Sequence, residues 1–287
     1  MIHIDNLSVH YGDRLALCID EPVTFNAGDR VGVIGSNGAG KTTLINALLG
    51  LIPATGTFHL DAKPEDIGVH MQHNEYSSNV PVRNVMNLIL GCKPEAHPIA
   101  AKLIDYFNFS HCLGKRFEKM SGGEKQKMTL ILVLAKETPL VFFDEVTTGL
   151  DFVSRDHLMQ LLRDWYTNRD ATLVFITHYY KEIENLVNKL LILDRGRLLA
   201  FGHPQELFRT YCGERLFITE KTAETEKIFA DVPILPLKDE LALRPDDAEA
   251  EAVFRLLEKH HLSYRRCHMD IEILAQTVMA KKGVTDE

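Results

Sequence analysis

The sequence predicts an α/β fold whose core is a mostly parallel β-sheet. Near-continuous apolar runs indicate buried strands: LVFF at 140–143, TLVFIT at 172–177 and LLIL at 190–193. Helical patterns separate these runs, and apolar strands that alternate with helices are typical of a parallel sheet covered on both faces. A further strand and helix, in VGVIGSNGAGKTTLINALLG at 31–50, are joined by a glycine-rich turn. We therefore expect a parallel α/β core.

The composition limits the classes of protein that this chain can be. Its 287 residues are enough for one large domain plus an appendage, and 45% of them are apolar, which supports a packed core. The formal net charge of −8 argues against a nucleic-acid binder whose affinity depends on neutralising phosphates. Five scattered cysteines do not indicate a disulfide framework, so we expect a reducing, cytoplasmic environment. The N-terminus lacks a signal-peptide pattern, and no apolar run reaches the ~20 residues of a membrane span.

Smaller elements surround the predicted core. Alternation in IHIDNLSVH at 2–10, together with TFHLD at 57–61 and IGVHM at 67–71, predicts short strands that form a small antiparallel β subdomain beside the main sheet. Three helical patterns follow between Pro81 and about Ala135: VRNVMNLIL, PIAAKLIDYFNF and GGEKQKMTLILVLAKE. They predict a helical subdomain over about residues 73–138.

The sequence pattern changes beyond about Thr210, from that of the α/β core to that of a small strand-and-helix appendage. We predict a first domain over residues 1–210 and a small α+β accessory domain over 211–287. Within the second, AEAVFRLLEKHH predicts an amphipathic helix, with an apolar face formed by Ala252, Phe254, Leu256, Leu257 and His261. Two surfaces could cover that face: the core of the same chain, or the tail of a second copy.

The turn GSNGAGKT, from Gly35 to Thr42, has the composition of a phosphate cradle. Backbone N–H groups of such a turn and of the following helix point at one spot, where they stabilise an anion. The spacing G-x-x-x-x-G-K-T is that of a P-loop, which assigns Lys41 to the β- and γ-phosphates and Thr42 to Mg²⁺. The alternative is an ordinary glycine-rich βα turn. The strand and helix on either side favour the P-loop.

Two acids end the apolar strand LVFFDE at 140–145. In a P-loop fold, Asp144 can hold Mg²⁺ through water, and Glu145 is placed to polarise the attacking water. By itself, a strand followed by a charged turn would explain these residues equally well.

Further polar motifs follow in a fixed order. Gln72 closes IGVHMQ, TTGLD at 147–151 follows the two acids, and His178 closes TLVFITH. In MSGGEKQ at 120–126, Ser121 and Glu124 have the spacing of a capping box at a helix start. A capping box does not require the two glycines after the serine, but consecutive glycines expose N–H groups to a phosphate.

The order and spacing of these motifs resemble the nucleotide-binding subunit of ABC transporters over about residues 1–210. The resemblance implies a P-loop NTPase fold, with Tyr11 stacked on adenine and Thr148 to Asp151 as the D-loop. It implies the following ATP-binding residues: Tyr11, Gly35, Ser36, Asn37, Gly38, Ala39, Gly40, Lys41, Thr42, Thr43, Ser121, Gly122, Gly123 and Asp151. It also implies catalytic roles for Glu145, His178 and Gln72, and an Mg²⁺ site formed by Thr42, Gln72 and Asp144. Glu124 stands where many members have Gln, and Val146 and Phe152 stand where prolines are usual.

The resemblance also implies partners. Two ATPase subunits, in a homodimer or a heterodimer, would meet head to tail, each supplying Ser121 and its glycines to the ATP bound by the other. Integral membrane permease subunits would hold the pair peripherally at the cytoplasmic face of the membrane, and no nucleic acid is expected.

The direction of transport and the class of ATPase have alternatives. The tail resembles the C-terminal extension of ABC-2-type export ATPases, which favours export, with an importer as the alternative. A soluble ABC ATPase acting on DNA or ribosomes is a further alternative. Against it, Lys41 and Asp144 are only 103 residues apart (144 − 41) with no heptad tract between them, and each motif occurs once.

Histidines and one cysteine could suggest a metal site. We expect His70 and His73, on either side of Gln72, to be solvated loop residues. The spacing of His260, His261, Cys267 and His268 matches no common zinc pattern, so no zinc is expected there.

Overall fold

The computed structural model describes residues 1–72, 74, 76, 77, 79–246 and 248–282. Its first sheet has ten strands, which are β1 Ile2–Tyr11, β2 Arg14–Ile19, β3 Val23–Phe25, β4 Arg30–Gly35, β5 Thr55–Leu60, β6 Ile67–His70, β7 Leu140–Asp144, β8 Thr172–Ile176, β9 Lys189–Asp194 and β10 Arg197–Gly202. A second sheet contains β11 Leu216–Glu220, β12 Ile234–Leu235, β13 Glu240–Leu243 and β14 Tyr264–Cys267. The helices are α1 Lys41–Leu48, α2 Val82–Leu90, α3 Pro98–Tyr106, α4 Gly122–Lys136, α5 Phe152–Tyr166, α6 Tyr180–Ile183, α7 Pro204–Tyr211, α8 Ala223–Ile228, α9 Ala250–Lys259 and α10 Ile271–Lys282.

The parallel half of the first sheet has the strand order β9-β4-β8-β7-β6. All residues of β7 and β8 are buried, as the unbroken apolar runs predict. Strand β6 belongs to this half, because it pairs with β7 in parallel. Its predicted place in the antiparallel subdomain is therefore wrong. The physical reason is that a parallel partner is distant in sequence, so local alternation does not reveal it.

The antiparallel half is continuous with the parallel half. Strand β1 pairs antiparallel with β2, β3 and β5. Strand β10 joins the two halves, since it pairs with β2 on one side and with β9 on the other. The predicted α/β class with a mostly parallel core and antiparallel strands is confirmed, but the strands form one sheet where two were expected.

The helical insert contains α2, α3 and α4 at the predicted positions. Helix α4 packs on α2, α3 and β6, with Met86, Leu103, Phe109 and Leu134 buried in this part of the core. The apolar stretch in α4 is buried inside the protein. No helix in the described residues is both long and apolar enough to cross a membrane.

The C-terminal sheet has the order β12-β13-β11-β14 and is covered on both faces. Phe217 of β11 packs with α9, whereas Leu216 and Ile218 face the main core and α10, as the two-residue period of a strand requires. Helix α10 contacts α6, α7 and β10. This sheet is therefore attached to the first sheet through α10.

The predicted apolar face of α9 needs correction. Of the predicted residues, Leu257 is buried and Phe254 and Leu256 are partly buried against the same cluster, whereas Ala252 and His261 are exposed. Ala250 and Val253, which were not predicted, are buried. Ala250, Val253 and Leu257 have the i, i+3, i+7 spacing of one helical face, whereas Ala252 lies off that face and His261 lies beyond the end of the helix at Lys259. This face packs on the C-terminal sheet of the same chain.

Candidate nucleotide-binding site

The P-loop connects the end of β4 to the start of α1. Gly35 lies so close to β9 that a Cβ atom there would be 2.2 Å from the Leu193 carbonyl oxygen. Gly40 has φ +97°, and a Cβ atom there would be 2.9 Å from the Ala16 carbonyl oxygen. Two glycines are thus required by close backbone approach, which seats the loop on the carboxyl edge of the sheet.

Lys41 lies inside this loop. Its Nζ donates to the carbonyl oxygens of Gly35 and Ser36, both at 2.9 Å. Burial lowers the pKa of Lys41, while Glu145 and Asp144 nearby oppose that shift. Two carboxylates therefore offset the positive charge of the buried ammonium group, and Lys41 lines the cleft in front of the loop.

Thr42 and Asp144 form the pair that could hold a metal ion. The Thr42 hydroxyl donates to Asp144 Oδ2 at 2.9 Å. Asp144 is 0% exposed, and its burial raises the pKa of the carboxyl group. Its Oδ1 is buried without a hydrogen-bond partner in the described part of the chain. A buried oxygen in that state needs a ligand, and hydroxyl and carboxylate oxygens are the donors that Mg²⁺ prefers, so this pair fits Mg²⁺.

Glu145 is held from three sides. It adopts a left-handed backbone conformation with φ +51°, and its N–H donates to the Ile176 carbonyl of β8 at 2.9 Å. Its Oε2 accepts hydrogen bonds from Gln72 Nε2 at 2.9 Å and from the Thr148 hydroxyl at 3.1 Å. Its Oε1 pairs with His178 Nε2. Loops after three parallel strands therefore converge on one carboxylate.

These side chains line one open cleft of about 980 Å³. The predicted site residues that line it are Tyr11, Asn37, Gly38, Ala39, Gly40, Lys41, Thr42, Thr43, Gln72, Glu145 and His178. Tyr11 is 54% exposed at the end of β1, so its ring is accessible for stacking. Sequence reasoning missed further lining residues, which are Arg14, Leu15, Ala16, Tyr179, Arg195 and Gly196.

Contacts around Thr148 and Ser36 were also missed. The Thr148 bond to Glu145 gives a role to the first residue of the D-loop. The Ser36 hydroxyl donates to Asp194 Oδ1 at 2.7 Å, at the end of β9. The signal for Asp194 was present, because LLILD ends in an acid as LVFFD does.

The signature residues Ser121, Gly122 and Gly123 lie outside the P-loop cleft. Ser121 and Glu124 form the predicted capping box: the Ser121 oxygen accepts from Glu124 N–H at 3.3 Å, and Glu124 Oε2 accepts from Ser121 N–H at 2.9 Å. Gly122 and Gly123 line a separate cleft of about 730 Å³, which Gln72 and Thr148 also border.

Asp151 caps helix α5. Its carboxylate accepts from the Ser154 N–H at 3.0 Å and from the Ser154 hydroxyl at 2.7 Å, and these bonds lower its pKa. Together with Ser121, Gly122 and Gly123, this residue is outside the set that lines the P-loop cleft.

Two expectations about histidines can be compared with the structure. His70 is not solvated: it lies in β6, is 1% exposed, and burial lowers its pKa to about 4. The β6–β7 pairing that the sequence did not reveal buries it. His73 lies outside the described residues. His260, His261, Cys267 and His268 do not bring three ligand atoms together in the described part of the chain.

Comparison with known proteins agrees with this fold. The family profile of ABC transporters matches residues 20–148. The Nod factor export ATP-binding protein I of Burkholderia lata is 30% identical over 226 residues, 74% of each chain. The molybdate import ATP-binding protein MolC of Haemophilus influenzae is 29% identical over 218 residues, 72% of this chain and 83% of that one. A solved ATP-binding subunit of an ABC transporter shares the fold, with a TM-score of 0.65 at 24% identity over 74% of this chain and 94% of that chain.

A glycine-rich loop joins the parallel strand β4 to helix α1, and two acids lie at the end of β7, which is separated from β4 in the sheet by β8. This arrangement defines a P-loop α/β ATPase. The chain belongs to the ABC transporter family. It is the ATP-binding, ATP-hydrolysing subunit of such a transporter.

Proposed function

We propose that this subunit hydrolyses ATP with Mg²⁺ through Lys41, Thr42, Asp144 and Glu145, within a dimer of ATPase subunits. The observation that carries the proposal is the placement of Glu145 in one cleft with the buried Lys41 and with Thr42, whose hydroxyl donates to Asp144. The P-loop backbone and Lys41 would bind the phosphates, and Tyr11 would stack on the adenine.

Thr42 and Asp144 are the residues that would hold Mg²⁺, with Gln72 at the rim of the same cleft. The ion supplies charge neutralisation on the phosphate oxygens. Asp144 Oδ1 has no competing donor, so this oxygen can turn to a ligand without breaking a bond in the described structure.

Glu145 would act as general base and His178 would position it. Both Glu145 oxygens are occupied here by donors from Gln72, Thr148 and His178. Among the described residues, Oε1 accepts from His178 alone, so its second lone pair could accept a proton from water. Gln72 and His178 would orient the carboxylate towards that water, since both belong to loops at the rim of the cleft.

Ser121, Gly122, Gly123 and Asp151 would act in trans. They do not line the P-loop cleft of their own chain, whereas a head-to-tail pair would place each signature loop over the ATP of the other subunit. A homodimer and a heterodimer both satisfy this geometry.

Integral membrane permease subunits would dock beside the signature cleft, which places the dimer peripherally at the cytoplasmic face of the membrane. The cleft borders Gln72, Asn74 and Tyr76, and Asn79 and Val80 nearby are exposed. A cysteine at position 79 or 80 should crosslink to an integral membrane protein in native membranes. Crosslinks confined to ribosomal or DNA-bound proteins would contradict the docking.

We infer export as the direction of transport. Support comes from the resemblance of the tail to export ATPases and from relatives named for Nod factor export. A relative named for molybdate import keeps import as the alternative. We also infer that residues 1–210 form the ATPase domain, with residues 211–287 as an accessory domain built on the second sheet.

The dimer is tested with Glu145→Gln, which should bind ATP and keep it. Light scattering should show the mass of a dimer when ATP and Mg²⁺ are added, and a monomer without ATP. The double variant Lys41→Ala, Glu145→Gln is the control, because it lacks the phosphate partner and should need a roughly 10- to 150-fold higher ATP concentration to dimerise. An ATP-loaded Glu145→Gln variant that stays monomeric at every protein concentration would contradict the dimer.

A further inference from the structure

A cluster of three metal-ligating side chains lies beside the signature loop. His111 and Cys112 belong to the short 3₁₀ turn Ser110–Cys112 after α3, and Glu124 lies in the first turn of α4. In the described part of the chain, this is the one group of three His, Cys, Asp or Glu residues whose ligand atoms all lie within 4.8 Å of one another. ATP hydrolysis at the P-loop gives these residues no role.

The distances in the cluster are close to those of a zinc site. Cys112 Sγ is 3.3 Å from His111 Nε2 and 3.2 Å from Glu124 Oε1, and His111 Nε2 is 3.1 Å from the same oxygen. In a tetrahedral site with Zn–S of ~2.3 Å and Zn–N and Zn–O of ~2.0 Å, ligand atoms are separated by roughly 3.3–3.6 Å. The three atoms would therefore need to move by only a few tenths of an ångström.

We propose that His111 Nε2, Cys112 Sγ and Glu124 Oε1 bind one Zn²⁺ ion. Nitrogen, sulfur and oxygen donors in this combination suit Zn²⁺ better than Mg²⁺ or Ca²⁺, which prefer oxygen alone. The fourth position would be taken by water, since the His111 side chain is 57% exposed and opens the cluster to solvent.

Glu124 can bind the metal and cap the helix at the same time. Its Oε1 faces the cluster, whereas its Oε2 accepts the Ser121 N–H at 2.9 Å. Zinc on Oε1 would therefore tie the turn at 110–112 to the N-terminus of α4 without breaking the capping box. The site would hold the signature loop in a fixed position relative to α3.

Charge balance favours the same ion. The Cys112 thiol donates to Glu124 Oε1 at 3.2 Å. Zinc binding would release that proton to solvent, and one thiolate and one carboxylate would neutralise the ion. Lys115 Nζ, 2.7 Å from Glu124 Oε1, is the group that competes with the metal for this oxygen.

The test uses the full-length chain without a histidine tag, with Co²⁺ as a spectroscopic probe and Zn²⁺ as its competitor. One equivalent of Co²⁺ should produce a thiolate-to-metal charge-transfer absorption, which Zn²⁺ should abolish. Cys112→Ser should remove this absorption. His111→Ala should weaken Zn²⁺ binding by more than the roughly 10- to 100-fold that loss of an outer partner costs.

Two further variants test whether the absorption and the Zn²⁺ affinity arise at this cluster. Cys92→Ser, at an exposed cysteine, should leave both unchanged. Lys115→Met should tighten Zn²⁺ binding by roughly tenfold, because a positive charge a few ångströms from the ion is removed. His111→Ala keeps the test valid if Cys112→Ser fails to fold, since His111 is exposed. Absorption retained in Cys112→Ser, or unchanged Zn²⁺ affinity in both His111→Ala and Lys115→Met, would overturn the proposal.

Discussion

The P-loop and the signature loop are both glycine-rich starts of a helix, but their helix ends are in opposite states. Helix α1 follows Gly40, and no described side chain caps it. Helix α4 follows Ser121, and a complete capping box satisfies its first N–H groups. Free N–H groups at a helix start attract an anion, whereas a capped start holds its shape without one.

The carboxylates of the P-loop region and of the signature region also differ in their environments. Burial raises the pKa of Asp144 beside the P-loop, so this region holds a carboxylate that is costly to ionise. Hydrogen bonds from Lys115, Ser121 and Cys112 hold the pKa of Glu124 well below its usual range. The P-loop region therefore holds a carboxylate that a cation could neutralise, whereas the carboxylate of the signature region is already satisfied by neighbouring side chains and backbone.

The largest expected effect is on chemistry at the P-loop. Glu145→Gln should lower the ATP hydrolysis rate by about 10²- to 10⁴-fold, because it removes the proposed general base, while ATP affinity stays within a few-fold of the parent. Rate and affinity are measured separately, by phosphate release and by equilibrium binding. Glu184→Gln, the same substitution on a partly buried glutamate outside the cleft, is the matched control and should hydrolyse ATP normally. Parent-level hydrolysis by Glu145→Gln would remove Glu145 from the mechanism.

His70 lies beside the signature region, and its burial should make the stability of the protein depend on pH. It is buried in β6, lines a cavity with Gly123 and Gln126, and burial lowers its pKa to about 4 from 6.5. The folded state therefore binds fewer protons than the unfolded state between these values. Stability from a neutral His70 is fully present above pH 6.5 and is lost as the pH falls towards 4, by roughly 3 kcal/mol in all.

The measurement is the free energy of unfolding by urea at pH 7.5, 6 and 5, for the parent and for His70→Leu. As the pH falls, the free energy of unfolding of the parent should decrease relative to that of His70→Leu. His157→Leu, at a histidine for which no such burial applies, is the control. Parallel curves for the parent and His70→Leu would show that His70 is not held neutral.

A smaller effect is expected from Lys41, the lysine proposed to bind phosphate. Lys41→Ala should weaken ATP binding by roughly 10- to 150-fold, as expected for the loss of a hydrogen bond to a charged group of about 1.5–3 kcal/mol. Lys127→Ala is the matched change at the signature helix, where Lys127 donates to the Phe107 carbonyl at 3.2 Å, and it should leave the ATP affinity of a single subunit unchanged. Equal losses of ATP affinity in Lys41→Ala and Lys127→Ala would mean that the P-loop lysine has no special role in ATP binding.

The sequence predicted the local parts of both regions well. The P-loop turn, the strand that ends in Asp144, the helices α2 and α4 and the Ser121–Glu124 capping box follow from spacing along a few residues. The carboxyl ends of parallel strands meet at one edge, which is why Lys41, Asp144 and His178 lie near one another although they are distant in sequence.

Features that depend on tertiary neighbours were not predictable in the same way. The burial of His70 requires the pairing of β6 with β7, more than 70 residues apart in Ile67↔Leu140. The cluster at Glu124 requires the turn after α3 to fold back on α4, which no spacing of His111 and Cys112 announces. The exposed side of α9 depended on which face the C-terminal sheet covers.

The smallest expected effect tests whether Ser121 only caps helix α4 or also contacts ATP. Ser121→Ala removes the side chain that accepts the Glu124 N–H, and the loss of such a cap costs about 1 kcal/mol of folding stability. Thr222→Ala is a matched control, because Thr222 forms a capping box with Thr225 at the start of α8, in the C-terminal part of the chain. Both variants should be destabilised by similar amounts in urea unfolding. Neither should change the ATP affinity of a single subunit, since neither residue lines the P-loop cleft.

The two variants should differ only where two subunits meet. If Ser121 contacts ATP bound by a second subunit, Ser121→Ala should lower the hydrolysis rate at protein concentrations that support dimers, and it should raise the concentration needed for half-maximal rate. Thr222→Ala should follow the parent curve in both respects. Superimposed rate-against-concentration curves for Ser121→Ala and Thr222→Ala would mean that Ser121 is a helix cap and no more, and the signature loop would then need another partner than ATP.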